Sequence, residues 1–410
     1  MENTNRSLVR SKTVWLAIMV MLAKSATGQE FANHWYPVNQ GAQSIAMGRS
    51  TVMDQGITSL FNNPSALGLF KEAAAAIVVS RNTLTQENGH LSALSGGGES
   101  MTEPQIAPYN IAMIYPSNDV AYKNMDLSYG FGYSRCYQWV SEHSWSFQKN
   151  GSDTLRQLSR TPGIDVLHAG AGASIWDDLL LGMTINIIPG REFFYKDVIY
   201  SNDVYVKGLA EMYTSNLAYF FTVGVQYVAP YGIELGLTFD SAYELLTDDY
   251  WTSDNTISRS HSIFKAPPVL GIGFGYTYDS FHIIFEHIQS SYSEMEIDSI
   301  PLSLENAAGN HLGIEYTRGN SKIRAGYYTD YLPVRGTDGE TATSISGLTV
   351  GYGHTLGNLS LNAALDSYSW SSAAFIHPLF SGDVNSDDKV SGMSLSLEIN
   401  YVFEKGIPFF

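Results

Sequence analysis

"IELGLTFDS", residues 233–241, alternates without a break. Ile233, Leu235, Leu237 and Phe239 take every second position, and Glu234, Gly236, Thr238 and Asp240 fill the gaps. Successive side chains of a β-strand point to opposite faces, so this stretch has one greasy side and one polar side. Residues 179–188 repeat the pattern, setting Leu179, Leu181, Met183, Ile185 and Ile187 against Gly182, Thr184 and Asn186. So do 359–368 and 393–403, where Leu395, Leu397, Ile399, Tyr401 and Phe403 oppose Ser396, Glu398 and Asn400.

Working outward from these segments, fourteen strands are expected. They are 73–81, 109–115, 125–133, 164–176, 179–188, 215–228, 233–241, 269–278, 281–288, 311–318, 321–328, 347–355, 359–368 and 393–403. The spacers between them alternate strictly: 27 residues then 9, 30 then 2, 26 then 4, 27 then 2, 22 then 2, 18 then 3, and finally 24. A soluble sandwich has no reason to keep its short turns on one side and its long loops on the other. A transmembrane barrel does, with short periplasmic turns and long outer loops. Closing the sheet also satisfies every backbone group inside the hydrocarbon layer, where an open edge is too costly. The expected fold is therefore all-β, a closed antiparallel transmembrane β-barrel of about 14 strands.

Composition agrees with export. Arg6, Arg10 and Lys12 precede an apolar run at 13–23, and Ala26-Thr27-Gly28 supplies small residues, so 1–28 reads as a signal peptide. The remaining chain carries 19 basic and 39 acidic residues, a formal charge of −20. That balance excludes nucleic acid as a partner, since such affinity comes largely from Lys and Arg meeting phosphates. A lone cysteine, Cys136, excludes an intramolecular disulfide framework. After residue 28, no stretch approaches the roughly 18 consecutive apolar residues that a helical span needs. Tyr401 and Phe403 close the last strand, where an aromatic ring suits the membrane interface.

If the apolar face meets lipid, the other face looks inward. That places Glu234, Glu286, Glu315, Arg324 and Glu398 in the lumen, together with Asp366, Lys322, His282 and His311. With Gly319-Asn320 as a two-residue turn, Glu315 falls opposite Arg324, and an ion pair is expected there. No nucleophile elbow or closely spaced His/Cys cluster is present, so no catalytic residues and no enzyme activity are expected. In "REFFYKDVIY", residues 191–200, the aromatic run Phe193, Phe194 and Tyr195 is the candidate for capturing a greasy ligand in an outer loop. Cofactors are not expected, apart from a weak calcium possibility at Asp383, Asn385 and Asp387, which fall at positions 1, 3 and 5 of a calcium loop. Position 6 of that loop is Asp388 rather than glycine, and position 12 is Ser394 rather than an acid.

Residues 29–72 show no strand alternation, yet precede the first strand. A barrel of fourteen strands is too wide for wall side chains alone to fill, and irregular backbone is tolerated at membrane depth when buried in protein. An N-terminal plug is therefore expected at 29–72, ahead of a barrel at 73–410. Its residues Gly41-Ala42, Ala46-Met47-Gly48, and Asn63-Pro64-Ser65 followed by Leu67 and Gly68 resemble the hatch of the FadL-like family. That family comprises outer-membrane transporters of long-chain fatty acids and other hydrophobic compounds. It typically has Asn-Pro-Ala where this chain has Asn-Pro-Ser. Proteins of the related PorV/PorQ group share a similar opening.

The resemblance implies passive uptake across a Gram-negative outer membrane. A hydrophobic small molecule would be caught among the outer loops, enter an apolar pocket, and leave by a hatch movement or a lateral wall opening. It implies partners in membrane lipid, lipopolysaccharide and the barrel-assembly machinery. The opening would involve a kink in the third strand, for which Gly130 and Gly132 are the candidates. The PorV/PorQ alternative implies an adaptor that binds secretion-system proteins instead of passing a solute.

Overall fold

The computed structural model describes residues 41–403, apart from 88–104, 118–124, 138–141, 150–151, 161–163, 177, 191, 202–203, 254–255, 292, 294–295, 298–299, 302–305, 336–341 and 373–387. In chain order the strands begin with β1 (Ala73–Glu87), β2 (Gln105–Ser117), β3 (Met125–Tyr137), β4 (Glu142–Lys149), β5 (Ser152–Arg160), β6 (Ile164–Ile175) and β7 (Leu179–Ile188). There follow β8 (Glu192–Ser201), β9 (Val204–Ser215), β10 (Ala218–Val228), β11 (Ile233–Asp240), β12 (Tyr243–Ser253), β13 (Thr256–Ala266), β14 (Val269–Tyr278) and β15 (Phe281–Ser290). Two short strands, β16 (Glu296–Ile297) and β17 (Ile300–Pro301), lead to β18 (Ala307–Arg318), β19 (Ser321–Arg335), β20 (Ala342–Leu356), β21 (Leu359–Ser372) and β22 (Asp388–Phe403).

Fourteen of these close into one antiparallel barrel, in the order β1-β2-β3-β6-β7-β10-β11-β14-β15-β18-β19-β20-β21-β22. They are the fourteen segments expected from alternation. The ring is sealed by β1 against β22, paired from Ala73↔Phe403 to Glu87↔Lys389. At one end the hairpins are tight. Gly319 and Gly357 open two-residue turns with φ of +58° each, a geometry that costs glycine nothing. Outside, the wall is apolar and bare: Phe131 is 61% exposed, Leu348 65% and Ile323 59%, and Met183, Leu235, Ile272, Phe285 and Leu397 are exposed as well. So continuous an exposed apolar band is the surface that lipid requires.

The long spacers differ from the expectation of loops. They carry β4, β5, β8, β9, β12, β13, β16 and β17, which form a second sheet of eight strands in the order β17-β16-β13-β12-β9-β8-β5-β4. Phe193, Phe194 and Tyr195 therefore lie on β8, facing Tyr213, Met212 and Glu211 of β9 in register, and not in a loop. Asp383, Asn385 and Asp387 lie outside the described residues. The third strand also differs from the implied kink. Its ladder runs unbroken through Ile114↔Gly130, Ala112↔Gly132 and Gly130↔Gly170, and the register shifts only between Arg135 and Tyr137.

Residues 41–70 fold within the ring as two short helices, Ala42–Ala46 and Ser59–Asn62, and a 3-10 helix, Pro64–Leu69. Their apolar side chains are buried, apart from Leu69 at the end of the 3-10 helix. Leu60, Phe61 and Leu67 pack with Ala74, Ala76, Ala112 and Ile114 of the wall, whereas Met47, Val52 and Met53 pack with Ile284.

Candidate functional site

The Asn63-Pro64 junction terminates one helix and starts the next. Asn63 Oδ1 accepts from Ser65 N at 3.2 Å and from Ser65 Oγ at 2.6 Å, while its Nδ2 donates to the Val52 carbonyl. The side chain thus supplies the partners that helix ends lack. Pro64 follows at the first position of the 3-10 helix, where a missing N–H leaves nothing unpaired.

Beneath this junction the wall has no side chains. Gly172, Gly182 and Gly224 sit side by side on β6, β7 and β10. A Cβ on Gly224 would lie 1.9 Å from Asn63 Oδ1, and one on Gly182 would lie 2.2 Å from the Pro64 carbonyl. A second cradle receives the other end: Cβ atoms on Gly313 and Gly326, paired across β18 and β19, would strike Met47 O at 2.6 Å and Gly48 N at 2.1 Å. A strand glycine packs nothing of its own, and here it marks the close approach of a second backbone. Of the residues that carried the family resemblance, 46–48 and 63–65 are laid on wall glycines, as are residues such as Val52, Met53 and Leu60 that did not carry it.

Three inward carboxylates hold the segment from Gln43 to Gln55. Glu286 accepts from Ser50 Oγ, from Thr51 N at 2.8 Å and from Met53 N at 2.7 Å. Glu398 accepts from Gln43 N at 3.1 Å, and Glu234 from Gln55 Nε2 at 2.8 Å. Glu315 bonds the wall instead. Arg324 Nε donates to its Oε2 at 2.7 Å and Lys322 Nζ lies 2.9 Å from its Oε1, while Arg324 Nη1 reaches Asn362 at 2.9 Å.

Sequence reasoning missed the strongest anchor. Arg49, with φ +60°, donates through Nε to Asp366 at 2.7 Å and through Nη2 at 2.6 Å, both groups buried. Its guanidinium lies 5.2 Å from the Tyr328 ring centroid and 5.6 Å from that of Tyr368, and Tyr328 Oη donates to Asp366 at 3.1 Å. The Arg49 carbonyl lies 2.8 Å from His311 Nδ1, whose Nε2 is 2.9 Å from Asp330.

Higher on the wall, His168 joins Ser134 and Asn186 at 2.7 and 2.6 Å, and Asn186 donates to Thr222 at 2.8 Å. Phe61 closes the segment against this row, its ring 4.6 Å from the His168 ring. The apolar pocket implied by the resemblance is not formed by these polar positions. Below the segment lies a cavity of about 70 Å³, lined by Met47, Met53, Asp54, His282, Glu315 and Lys322 among others. Among the described residues, no group of three or more His, Cys, Asp or Glu is arranged to hold a metal.

Asp54 borders that cavity. Burial pushes its carboxyl up to about 7, against the lowering effect of the Gly56 N–H, and the nearby Glu398 and Glu286 charges add to the rise. A raised folded-state value favours the docked segment fully below the ordinary value of 3.8, and that contribution is lost as pH climbs through about 7. Protection of residues 41–60, expressed relative to the free-peptide exchange rate at each pH, should therefore fall between about pH 4 and 7, and Asp54→Asn should flatten that dependence. An equally steep profile in the variant would assign the effect to another group.

No family model matches the sequence, and none of the curated proteins is similar to it. Solved structures do share its architecture. A FadL homologue of Pseudomonas aeruginosa superposes with a TM-score of 0.61 at 11% identity, covering 92% of this chain and 100% of its own. The toluene transporter TbuX of Ralstonia pickettii gives 0.58 at 12% identity, covering 89% and 98%. The toluene transporter TodX of P. putida gives 0.55 at 13% identity, with the same coverage. At such identities the likeness establishes the fold.

Proposed function

We propose that this protein is a channel of the outer membrane for the passive uptake of hydrophobic compounds such as long-chain fatty acids, with residues 41–70 as its hatch. One observation carries the reading: a segment without covalent ties at its cradles fills the ring through short contacts with glycine backbone and a few inward anchors. A plug held in this way can shift while the wall stays paired. A permanent strut needs no such smooth bed. Similarity to barrels described as toluene transporters supports the substrate class. On this reading the polar inward residues are anchors of the hatch, and no catalysis is involved.

Cells lacking the protein should accumulate radiolabelled palmitate or toluene several-fold more slowly than cells that carry it. The purified barrel should retain an amphiphile detectable by mass spectrometry. Equal uptake rates together with an empty barrel would overturn the reading.

A further inference from the structure

On three neighbouring strands the apolar outer band stops short. Eight residues up from the tight-turn end, the outward side chain is Leu270 on β14, Leu348 on β20, Leu395 on β22 and Leu167 on β6, all exposed. On β15, β18 and β19 the same level holds Gln289, Asn310 and Thr329. Their chain neighbours His311 and Tyr328 point inward and are buried, as Glu286 is on β15. His287 precedes Gln289 on the outer face and pairs in register with Asn310, which pairs in turn with Thr329. Arg81 on β1 and Ser367 on β21 are also polar at this level, but each stands alone. Arg81 pairs with Leu395 and Ile106, and Ser367 with Leu348 and Met393.

A rise of about 3.3 Å per residue and a tilt of about 40° lift this level about 20 Å above the tight-turn rim, within an apolar band about 25 Å tall. His287 lies deeper still. Hydrocarbon offers a polar group no partner, so each such side chain is costly there. Among the described residues one bond relieves the row: His287 Nδ1 lies 3.0 Å from Asn310 Oδ1. The Asn310 amide nitrogen, the Gln289 carboxamide and the Thr329 hydroxyl make no other hydrogen bond among those residues. Above Arg318 at the rim, the outward positions of the three strands up to Thr329 carry no Lys or Arg. The row is therefore a poor match for an anionic headgroup.

We propose that this row is an interface between two copies of the chain, packed side by side about a two-fold axis along the membrane normal. The chemistry of the row is its own complement. A carboxamide both donates and accepts, and so does a hydroxyl. A two-fold axis beside β18, the middle strand, sets Asn310 against its own copy, and it turns Gln289 of one protomer toward Thr329 of the other at the same height. Ala308, next to Asn310 on the same face, is small enough for the two walls to approach closely. Pairing in this way satisfies groups that lipid leaves bare. The proposal is independent of the uptake reading, since it concerns the outside of the wall alone.

The test uses the full-length protein in its own membrane, with Cys136→Ser removing the native thiol. Under mild oxidation Ala308→Cys should form a disulfide-linked dimer, whereas Leu395→Cys, at the same level on β22, should not. Adding Asn310→Leu and Thr329→Val to A308C should abolish the cross-link. The heat-dependent mobility shift of a folded barrel should persist in every variant, because apolar side chains suit lipid-facing positions. Native mass spectrometry of the wild-type protein from mild detergent should show two chains, and of the Asn310→Leu, Thr329→Val variant one. Cross-linking of A308C no stronger than that of L395C would overturn the interface. So would a wild-type monomer carrying a lipid or lipopolysaccharide that the double variant loses, which would assign the row to that lipid.

Discussion

Replacing Arg49 with alanine should release the hatch from its barrel. The guanidinium is the only described group paired in charge with Asp366, and both are buried. Removing one member of a buried ion pair strands the other, at a cost of about 3–5 kcal/mol. The loss of contact with the Tyr328 and Tyr368 rings adds to it, since a desolvated cation over an aromatic face contributes up to about 2 kcal/mol. The wall itself keeps every ladder bond. Protease should therefore cut R49A within residues 41–60 while the barrel still shifts mobility on heating, and small dyes should leak through it. Asp366→Asn strands the buried Arg49 cation in turn, but its amide oxygen can still accept from Arg49 Nε, so it should loosen the hatch somewhat less than R49A. Equal resistance of R49A and wild type to protease would show that the glycine cradles suffice.

Gly182→Val should produce a comparable effect by the opposite means, adding atoms instead of removing a charge. The new Cβ would sit 2.2 Å from the Pro64 carbonyl and 2.4 Å from Ser65 N, and neither neighbour is the end of a flexible side chain. Overpacking commonly costs about 1–3 kcal/mol when side chains can yield. Backbone cannot yield in this way, so the 3-10 helix has to lift off. Valine suits a strand, and β7 itself should pair as before. Dye leakage and fast exchange confined to residues 59–70 are the expected signature. A sealed barrel carrying valine at 182 would mean that the cradle is not a seat.

The ring was legible in the sequence because lipid enforces its pattern. A strand with oil on one side shows every second residue apolar, and all fourteen barrel strands do so. The second sheet was not legible. In "SDTLRQLSR" at β5 the two leucines stand three apart, and in "EHSWSFQK" at β4 only Trp145 and Phe147 alternate, too short a run to separate these strands from loops. Glycine was silent for a different reason: at 182 and 236 it stands in the polar row of its strand with no sign of the backbone or side chain it receives. Its meaning depends on a segment more than a hundred residues away. Arg49 was hidden for a related reason, lying in a stretch without periodicity, with its partner 317 positions along the chain. The Glu315–Arg324 contact was readable because a two-residue turn determines which residues face each other.

Closure of β1 on β22 bears on biogenesis. The hatch is synthesised before any wall strand, yet one of its anchors, Glu398, belongs to the last. Its seats on β6, β7 and β10 precede that strand in the chain. A nascent ribbon can thus carry its own stopper into the membrane, and the final zippering step locks the cork as it completes the bottle.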